Sequence, residues 1–231
     1  MDFDFTPYFE KYEELVRAAE EAFGRIKGDH ADCVRCKVGC ADCCHALFDL
    51  TLVEALFINH KFNETFKDDK RERLLEVANR TDRKTHKIKR KAYNLLKDGC
   101  KDEDVLERVA AETVRCALLN ENDLCELYDY RPITCRLYGV PTAIGGKGHT
   151  CGLSGFSEGK AYPTVNLDRI QGGLLALSKA LAADLKSKYT TIGELLVPLS
   201  MALLTEYSAE YLGVGDKAED HQGEEEGGEN E

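Results

Sequence analysis

The fold of this chain is organised around residues 33–45, which read Cys33-Val34-Arg35-Cys36-Lys37-Val38-Gly39-Cys40-Ala41-Asp42-Cys43-Cys44-His45. Five of the ten cysteines in the protein fall within this stretch. Such short gaps let several thiolates converge on one centre, because a tight turn brings residues three or four positions apart within ligand distance. Gly39 favours a turn of this kind, since glycine adopts backbone angles that other residues avoid. We therefore expect a metal-binding turn here.

Disulfide bonding is the main competing use of so many cysteines. The chain has 231 residues, of which 43% are hydrophobic, so it can bury an ordinary core without disulfides. Its acidic start, residues 1–7, lacks the basic and apolar regions of a signal peptide. No apolar run approaches the length needed to span a membrane. We therefore expect a cytoplasmic protein, free of membrane contact, in which the clustered thiols bind metal ions.

The adjacent pair Cys43-Cys44 constrains the kind of centre. Neighbouring side chains are expected to point in different directions, so the two thiols should not easily share one mononuclear ion. The pair therefore favours two metal sites or one polynuclear cluster. For a single cysteine, burial as a small apolar side chain would be the better interpretation.

A second cysteine region lies far along the chain. After Cys116 it reads Cys125-Glu126-Leu127-Tyr128-Asp129-Tyr130-Arg131-Pro132-Ile133-Thr134-Cys135-Arg136, and Cys151 follows a glycine-rich loop. Together the two regions resemble the cysteine-cluster family of zinc- or iron-chelating (Fe-S type) proteins. The first signature of that family falls on Cys36, Cys40, Cys43 and Cys44. The second falls on Cys116, Cys125, Leu127, Tyr128, Arg131, Pro132, Cys135 and Arg136.

The resemblance covers about residues 36–151 and implies a set of eight metal ligands. These are Cys36, Cys40, Cys43, Cys44, Cys116, Cys125, Cys135 and Cys151. Cys33 departs from the family pattern but is close enough to be a ligand, and Cys100 is expected to be an ordinary thiol. His45 and His149 are either ligands, hydrogen-bonding neighbours of ligands or ordinary histidines. Arg131 and Arg136 should either stabilise the thiolate charge or pair with carboxylates elsewhere.

The identity of the metal stays open at this point. Two closed four-cysteine zinc sites would use eight thiolates, and iron–sulfur clusters also take four cysteines each. The paired cysteines tilt the choice towards iron–sulfur.

Outside the cysteine regions, the patterning is helical. Apolar residues from Phe5 to Ile26 recur at gaps of four and three, which predicts one helix, with Thr6 as its cap and Gly28 at its end. Capping-box patterns begin at Thr51 and Thr191. Further helices are predicted over 52–66, 68–97, 103–115 and 167–185, and Pro198 should kink or restart the last helical segment.

These patterns predict a mainly α fold, a helical bundle scaffold with an irregular cysteine-rich metal-binding layer. We expect a single domain over 1–213, with a motif core at 33–151 and flanking helices at 4–27 and 164–212. Residues 214–231 carry eight acids, one lysine and few apolar residues. This segment is therefore expected to be a disordered acidic tail.

The predicted helix over 67–97 is strongly basic, with twelve Lys or Arg against five acids. An acidic protein partner could dock there, or on the acidic tail. Nucleic acid is not expected, because the helix has few aromatics and the chain as a whole carries a net charge of −11. A solvated helix face explains the same composition.

The leading interpretation is a metal-binding protein whose centre is structural or redox-active. One alternative is an enzyme of Fe-S oxidoreductase or methyl-transfer type, because flagellin lysine N-methylases share this type of cysteine cluster. The chain is short, however, and shows no S-adenosylmethionine loop or P-loop. Another alternative is a protein-interaction module that uses metal for folding.

Overall fold

The computed structural model describes residues 3–157 and 159–215 of the chain. Seven α-helices carry this part: α1 (Thr6–Asp29), α2 (Leu52–Thr65), α3 (Asp68–Lys97), α4 (Asp102–Ala110), α5 (Ile133–Leu137), α6 (Leu167–Asp184) and α7 (Leu199–Leu204). The mainly α fold is confirmed. Of the predicted acidic tail, 214–231, only residues 214 and 215 are described. The prediction that this tail is disordered therefore concerns residues outside the described ranges.

Five short strands join the helices: β1 (Asp49–Thr51), β2 (Thr142–Ile144), β3 (Lys147–His149), β4 (Val165–Asn166) and β5 (Leu196–Pro198). Strand β1 pairs antiparallel with β5, whereas β2 lies between antiparallel β3 and parallel β4. The glycine-rich loop is the hairpin turn between β2 and β3. Its two glycines, Gly145 and Gly146, have φ angles of 56° and 76°, which suit a tight hairpin turn.

Helix α1 follows the predicted apolar stripe but has different ends. Tyr8, Tyr12, Val16, Ala19 and Ile26 are buried along it. Thr6 does not cap the helix. It is the first helical residue, and its N–H donates to the Asp4 carboxylate at 2.9 Å. The helix continues past Gly28, because an exposed glycine without left-handed geometry does not stop it.

Helix α2 is the central element of the core. It contacts α1, α6 and α7, and each residue from Leu52 to Ile58 is buried. It begins at the predicted position, directly after Thr51, but the Thr51 side chain makes no cap hydrogen bond. Glu54, the expected partner in that capping box, points into the core and is only 3% exposed.

The last segment contains less helix than the sequence predicted. The capping-box pattern at Thr191 leads only to a 3-10 turn, Ile192–Glu194, without a side-chain cap. The chain then pairs as β5 with β1, and this backbone pairing interrupts the predicted helix. Pro198 restarts the helix as expected, since α7 begins at the next residue. The predicted helix over 103–115 also ends early, at Ala110.

No helix in the described ranges is both long enough and apolar enough to cross a bilayer.

Candidate metal centre

Backbone hydrogen bonds join the two cysteine motifs. The Cys116 N–H donates to the Cys44 carbonyl at 2.7 Å, and the Val114 N–H donates to the His45 carbonyl at 3.1 Å. These bonds explain why α4 ends before residue 115, since the chain leaves the helix to pair with the first motif. Motifs about 70 residues apart in sequence therefore meet in space.

The first motif forms two consecutive turns. Gly39 has a φ of 85°, and the Cys40 N–H donates to the Lys37 carbonyl at 2.9 Å. The expected glycine turn is therefore present. The next turn is a 3-10 helix, Asp42–His45, which carries both Cys43 and Cys44.

The second motif is a closed loop followed by a short helix. Backbone pairing between Leu119 and Cys125 closes the loop. A 3-10 turn, Tyr128–Tyr130, then leads to Pro132, which precedes α5 and thus Cys135. The Arg-Pro step of the motif is therefore the start of the helix that carries its last cysteine.

A cavity of about 830 Å³ lies where the motifs meet. Seven of the eight cysteines of the expected ligand set line it: Cys36, Cys40, Cys43, Cys44, Cys116, Cys125 and Cys135. Cys151 is not among the lining residues. Its thiol donates to the Asp42 carboxylate at 3.2 Å.

The eight thiols divide into two groups by their electrostatic neighbours. The inner group comprises Cys43, Cys44, Cys116, Cys125 and Cys135, whose thiols influence one another. The outer group comprises Cys36, Cys40 and Cys151. Cys43 links the two, because its charge also acts on Cys36.

The Cys43 thiol forms hydrogen bonds with two neighbouring thiols. Hydrogen bonds with the Cys135 and Cys44 thiols lower the pKa of Cys43 to about 3. The same contacts raise the pKa of both partners. Burial raises the pKa of Cys116 to about 12. The thiols that share hydrogen bonds with Cys43 must therefore lose their protons before they bind a metal as thiolates.

The Cys43 and Cys44 Sγ atoms lie 4.0 Å apart. Two sulfurs bound to one zinc ion at about 2.3 Å each are separated by about 3.8 Å in tetrahedral geometry. Our expectation that neighbouring thiols point apart is therefore wrong for this 3-10 turn. The pair does not exclude a shared ion. Within the described residues, however, no group of three or more His, Cys, Asp or Glu side chains has the geometry of a preformed metal site.

The two motif arginines have different surroundings. Arg131 lines the cavity and stacks on the Tyr128 ring, 3.8 Å from its centroid. Burial raises the pKa of Cys36 and Cys125, and the Arg131 guanidinium opposes that rise. Among the described residues, its Nε atom is buried without a hydrogen-bond partner.

Arg136 has the carboxylate partner that the sequence left open. Its guanidinium pairs with Glu20 of α1, and its Nε donates to the Arg131 carbonyl at 2.8 Å. This arginine therefore ties α5 to α1, in addition to lining the cavity.

The remaining candidates do not line the cavity. The Cys33 carbonyl accepts a bond from the Gly155 N–H at 2.7 Å, and Cys100 lies in the turn between α3 and α4. A His45 ring nitrogen bonds the Ala41 carbonyl at 3.0 Å, and His149 lies on the exposed strand β3. None of these four is among the described residues that line the cavity.

Glu54 is a supporting residue that the sequence did not reveal. Its Oε1 accepts bonds from the Tyr12 hydroxyl and from the Ile133 N–H, both at 3.3 Å. The second bond is made at the first residue of α5, the helix that carries Cys135. Burial raises the pKa of Glu54 to about 7. Its place in an otherwise apolar run, residues 52–58, was the available signal.

A protein-family model matches the cysteine-rich part of the chain. The model named CxxCxxCC, described as "putative zinc- or iron-chelating domain", matches residues 35–152. This range includes all eight cysteines of the expected ligand set and covers about half of the chain. Neither the curated proteins nor the solved structures contain a match to the sequence.

Proposed function

Because this chain belongs to the CxxCxxCC family of zinc- or iron-chelating domains, we propose that its eight motif cysteines hold the metal. The proposed ligands are Cys36, Cys40, Cys43, Cys44, Cys116, Cys125, Cys135 and Cys151. The observation that carries the proposal is the cavity where two distant motifs meet, which seven of these cysteines line. Cys151 would join from the loop beside Asp42.

The donor set suits zinc or iron. All ten cysteines lie in the described part of the chain and are free thiols. Thiolates are ligands for zinc and for iron–sulfur clusters. Four thiolates around a divalent ion leave a net charge of −2. Arg131 lines the cavity and has a buried Nε without a partner among the described residues, so its guanidinium is available to offset this charge.

The chain's own residues prepare the site in three ways. Hydrogen bonds from neighbouring thiols lower the pKa of Cys43, Arg131 offsets negative charge, and the backbone pairing of Cys116 with Cys44 holds the motifs together. A bound zinc ion would add rigidity, whereas an iron–sulfur cluster would add electron transfer.

We infer an iron–sulfur centre with a redox role in a reducing, cytoplasmic setting. Eight thiolates from one chain could hold two four-cysteine units, and the free thiols suit a compartment that keeps cysteine reduced. The proposed unit is a single domain over 1–213 with an acidic tail at 214–231.

The deciding experiment is metal analysis and visible absorbance of untagged, anaerobically purified protein. We expect at least two metal ions per chain, with charge-transfer bands if they are iron. A colourless protein with stoichiometric zinc would make the centre structural. Less than half an equivalent of zinc plus iron would contradict metal binding by this cavity.

Helix α3 supports a second, compatible role in docking an acidic protein partner. Seven of its basic residues are exposed and form no salt bridge with a described residue: Arg73, Arg80, Arg83, Lys84, Lys87, Arg90 and Lys97. Such a stripe attracts an acidic surface at low ionic strength. Charge reversal of Lys84 and Lys87 should abolish salt-sensitive capture by an acidic peptide, and unchanged capture would contradict this role.

A further inference from the structure

The cavity at the metal centre is larger than the thiols require. A zinc ion lies about 2.3 Å from its sulfur ligands, and an iron–sulfur cluster likewise lies within the set of thiolates that hold it. The cavity of about 830 Å³ falls instead within the range of about 300–1,000 Å³ that is typical of small-molecule sites. A substantial part of it therefore stays available when the metal is bound.

The part beyond the cysteines has mainly apolar walls. Phe23 of α1, Phe48 before β1, Ile88 of α3 and Val109 of α4 line it. Thr85 of α3 adds a buried hydroxyl group. Walls contributed by several helices with few polar groups are typical of pockets for organic ligands.

The charged residues around the cavity favour an anionic ligand. All three described carboxylates that line the cavity have a basic partner: Asp49 pairs with Lys89, Glu20 with Arg136 and Asp123 with Arg115. Lys27 and Lys37 also line the cavity, are exposed, and form no salt bridge with any described residue. Two uncompensated ammonium groups thus stand beside apolar walls, which is the arrangement that suits a carboxylate with an apolar body.

We propose that this cavity binds a small organic carboxylate with an apolar body, seated between α3 and α4 beside the metal centre. The proposal rests on the proposed function in one respect, namely that the metal occupies the thiol end. The apolar body would pack on Ile88 and Val109, and the carboxylate would lie towards Lys27 and Lys37. The ligand would thereby contact the centre and shield it from water.

The test uses decanoate as the probe and the metal-loaded full-length protein. We expect saturable binding by isothermal titration calorimetry, with decanol binding more weakly because it lacks the charge. Ile88→Trp fills the apolar part and should weaken decanoate binding at least about tenfold. Leu106→Trp introduces the same side chain on α4 at a residue that is 67% exposed, and it should leave binding unchanged.

A second pair of variants covers the case in which Ile88→Trp does not fold. Val109→Trp should weaken decanoate and decanol alike, whereas Lys37→Glu should weaken only decanoate. Metal content measured in the same samples separates loss of the ligand from loss of the centre. No saturable decanoate binding to metal-loaded protein, or binding that neither tryptophan variant affects, would overturn the proposal.

Discussion

The inner and outer cysteine groups differ in how the fold holds them. The five inner cysteines lie on regular or paired backbone. Cys43 and Cys44 lie on a 3-10 turn, Cys116 pairs through its N–H with the Cys44 carbonyl, Cys125 forms a β-bridge and Cys135 lies on α5. Outer cysteines lie on loops, and Cys151 bonds Asp42 instead of another thiol. Five of the eight proposed ligands are therefore positioned by regular or paired backbone, whereas the three outer ones depend on the conformation of loops.

Removal of an inner thiol is the strongest way to test this difference. Cys135→Ala should lose most of the metal and unfold at markedly lower temperature, because metal binding is folding free energy in such sites. Cys151→Ala should retain more metal, since the inner group stays complete. Metal content and thermal melting of the two variants provide the measurement.

Cys100→Ala is the matched control for both variants. Its thiol lies in the turn between α3 and α4 and should be dispensable. If Cys100→Ala and Cys135→Ala behaved alike, the ligand assignment would be wrong. If Cys151→Ala lost as much metal as Cys135→Ala, the two groups would form one inseparable centre.

Gly139 tests the packing behind the outer group. It has a φ of 104°, and a Cβ at this position would lie 2.5 Å from the Cys36 Cβ. Gly139→Ala should therefore destabilise the protein by more than about 2 kcal/mol, through backbone strain and displacement of Cys36. Denaturant unfolding measures the loss.

Gly24 offers the control for that substitution. It lies inside α1, and an added Cβ there meets nothing within 4 Å. Gly24→Ala should stabilise the protein by about 0.5–1 kcal/mol. A neutral Gly139→Ala would show that Cys36 is free to move.

The role of Glu54 in supporting α5, which carries Cys135, can be tested through the pH dependence of stability. Its pKa is raised from 4.5 to about 7 by burial, so the folded protein binds a proton that the unfolded chain releases. The free energy of unfolding should thus fall as pH rises from about 4.5 to 7, by on the order of 2–3 kcal/mol. Glu54→Gln should remove this slope at equal metal content.

Glu64→Gln, an exposed acid on the same helix, should keep that slope. Parallel pH profiles of wild type and Glu54→Gln would contradict a buried, protonated Glu54.

Arg131 provides the smallest expected effect and acts on both groups. It opposes the rise in pKa of Cys36 and Cys125, which belong to different groups. Arg131→Gln should therefore move the pH of half-maximal metal loss upward, by about one unit. Metal retention against pH is the measurement. Arg83→Gln, at an exposed position of α3 that forms no salt bridge with a described residue, should leave the profile unchanged.

Much of the helical scaffold could be predicted from periodicity. The stripe from Phe5 to Ile26 and the start of α2 at Leu52 agree with the structure. The helix predicted around Thr191 failed, because β5 gains backbone pairing with β1 that local sequence does not encode. The predicted end of the helix over 103–115 was wrong for a similar reason. Helix α4 ends at Ala110, and the chain after it pairs with the first cysteine motif.

The candidate site divides along similar lines. The spacing of the cysteines identified the residues that line the cavity, and Gly39 identified the turn between them. Spacing could not show that Arg131 lies among the thiols while Arg136 pairs with Glu20 of α1. Nor could it show that Glu54 is buried and accepts a hydrogen bond from α5, because its place in a capping-box pattern indicated a residue at the helix surface.

The sequence by itself determined the mainly α class, the family and the identity of the cysteine-rich motifs, because periodicity and short-range spacing are local properties of the chain. Only the tertiary structure decided which thiols are neighbours, which of the two cavity-lining arginines has a carboxylate partner, and where a buried carboxyl supports α5. Those features depend on contacts between residues that are distant in sequence, such as Cys44 with Cys116 and Glu54 with Ile133. Hydrogen bonds between the thiols, together with burial, shift the pKa values of the site, and residue types alone do not show either.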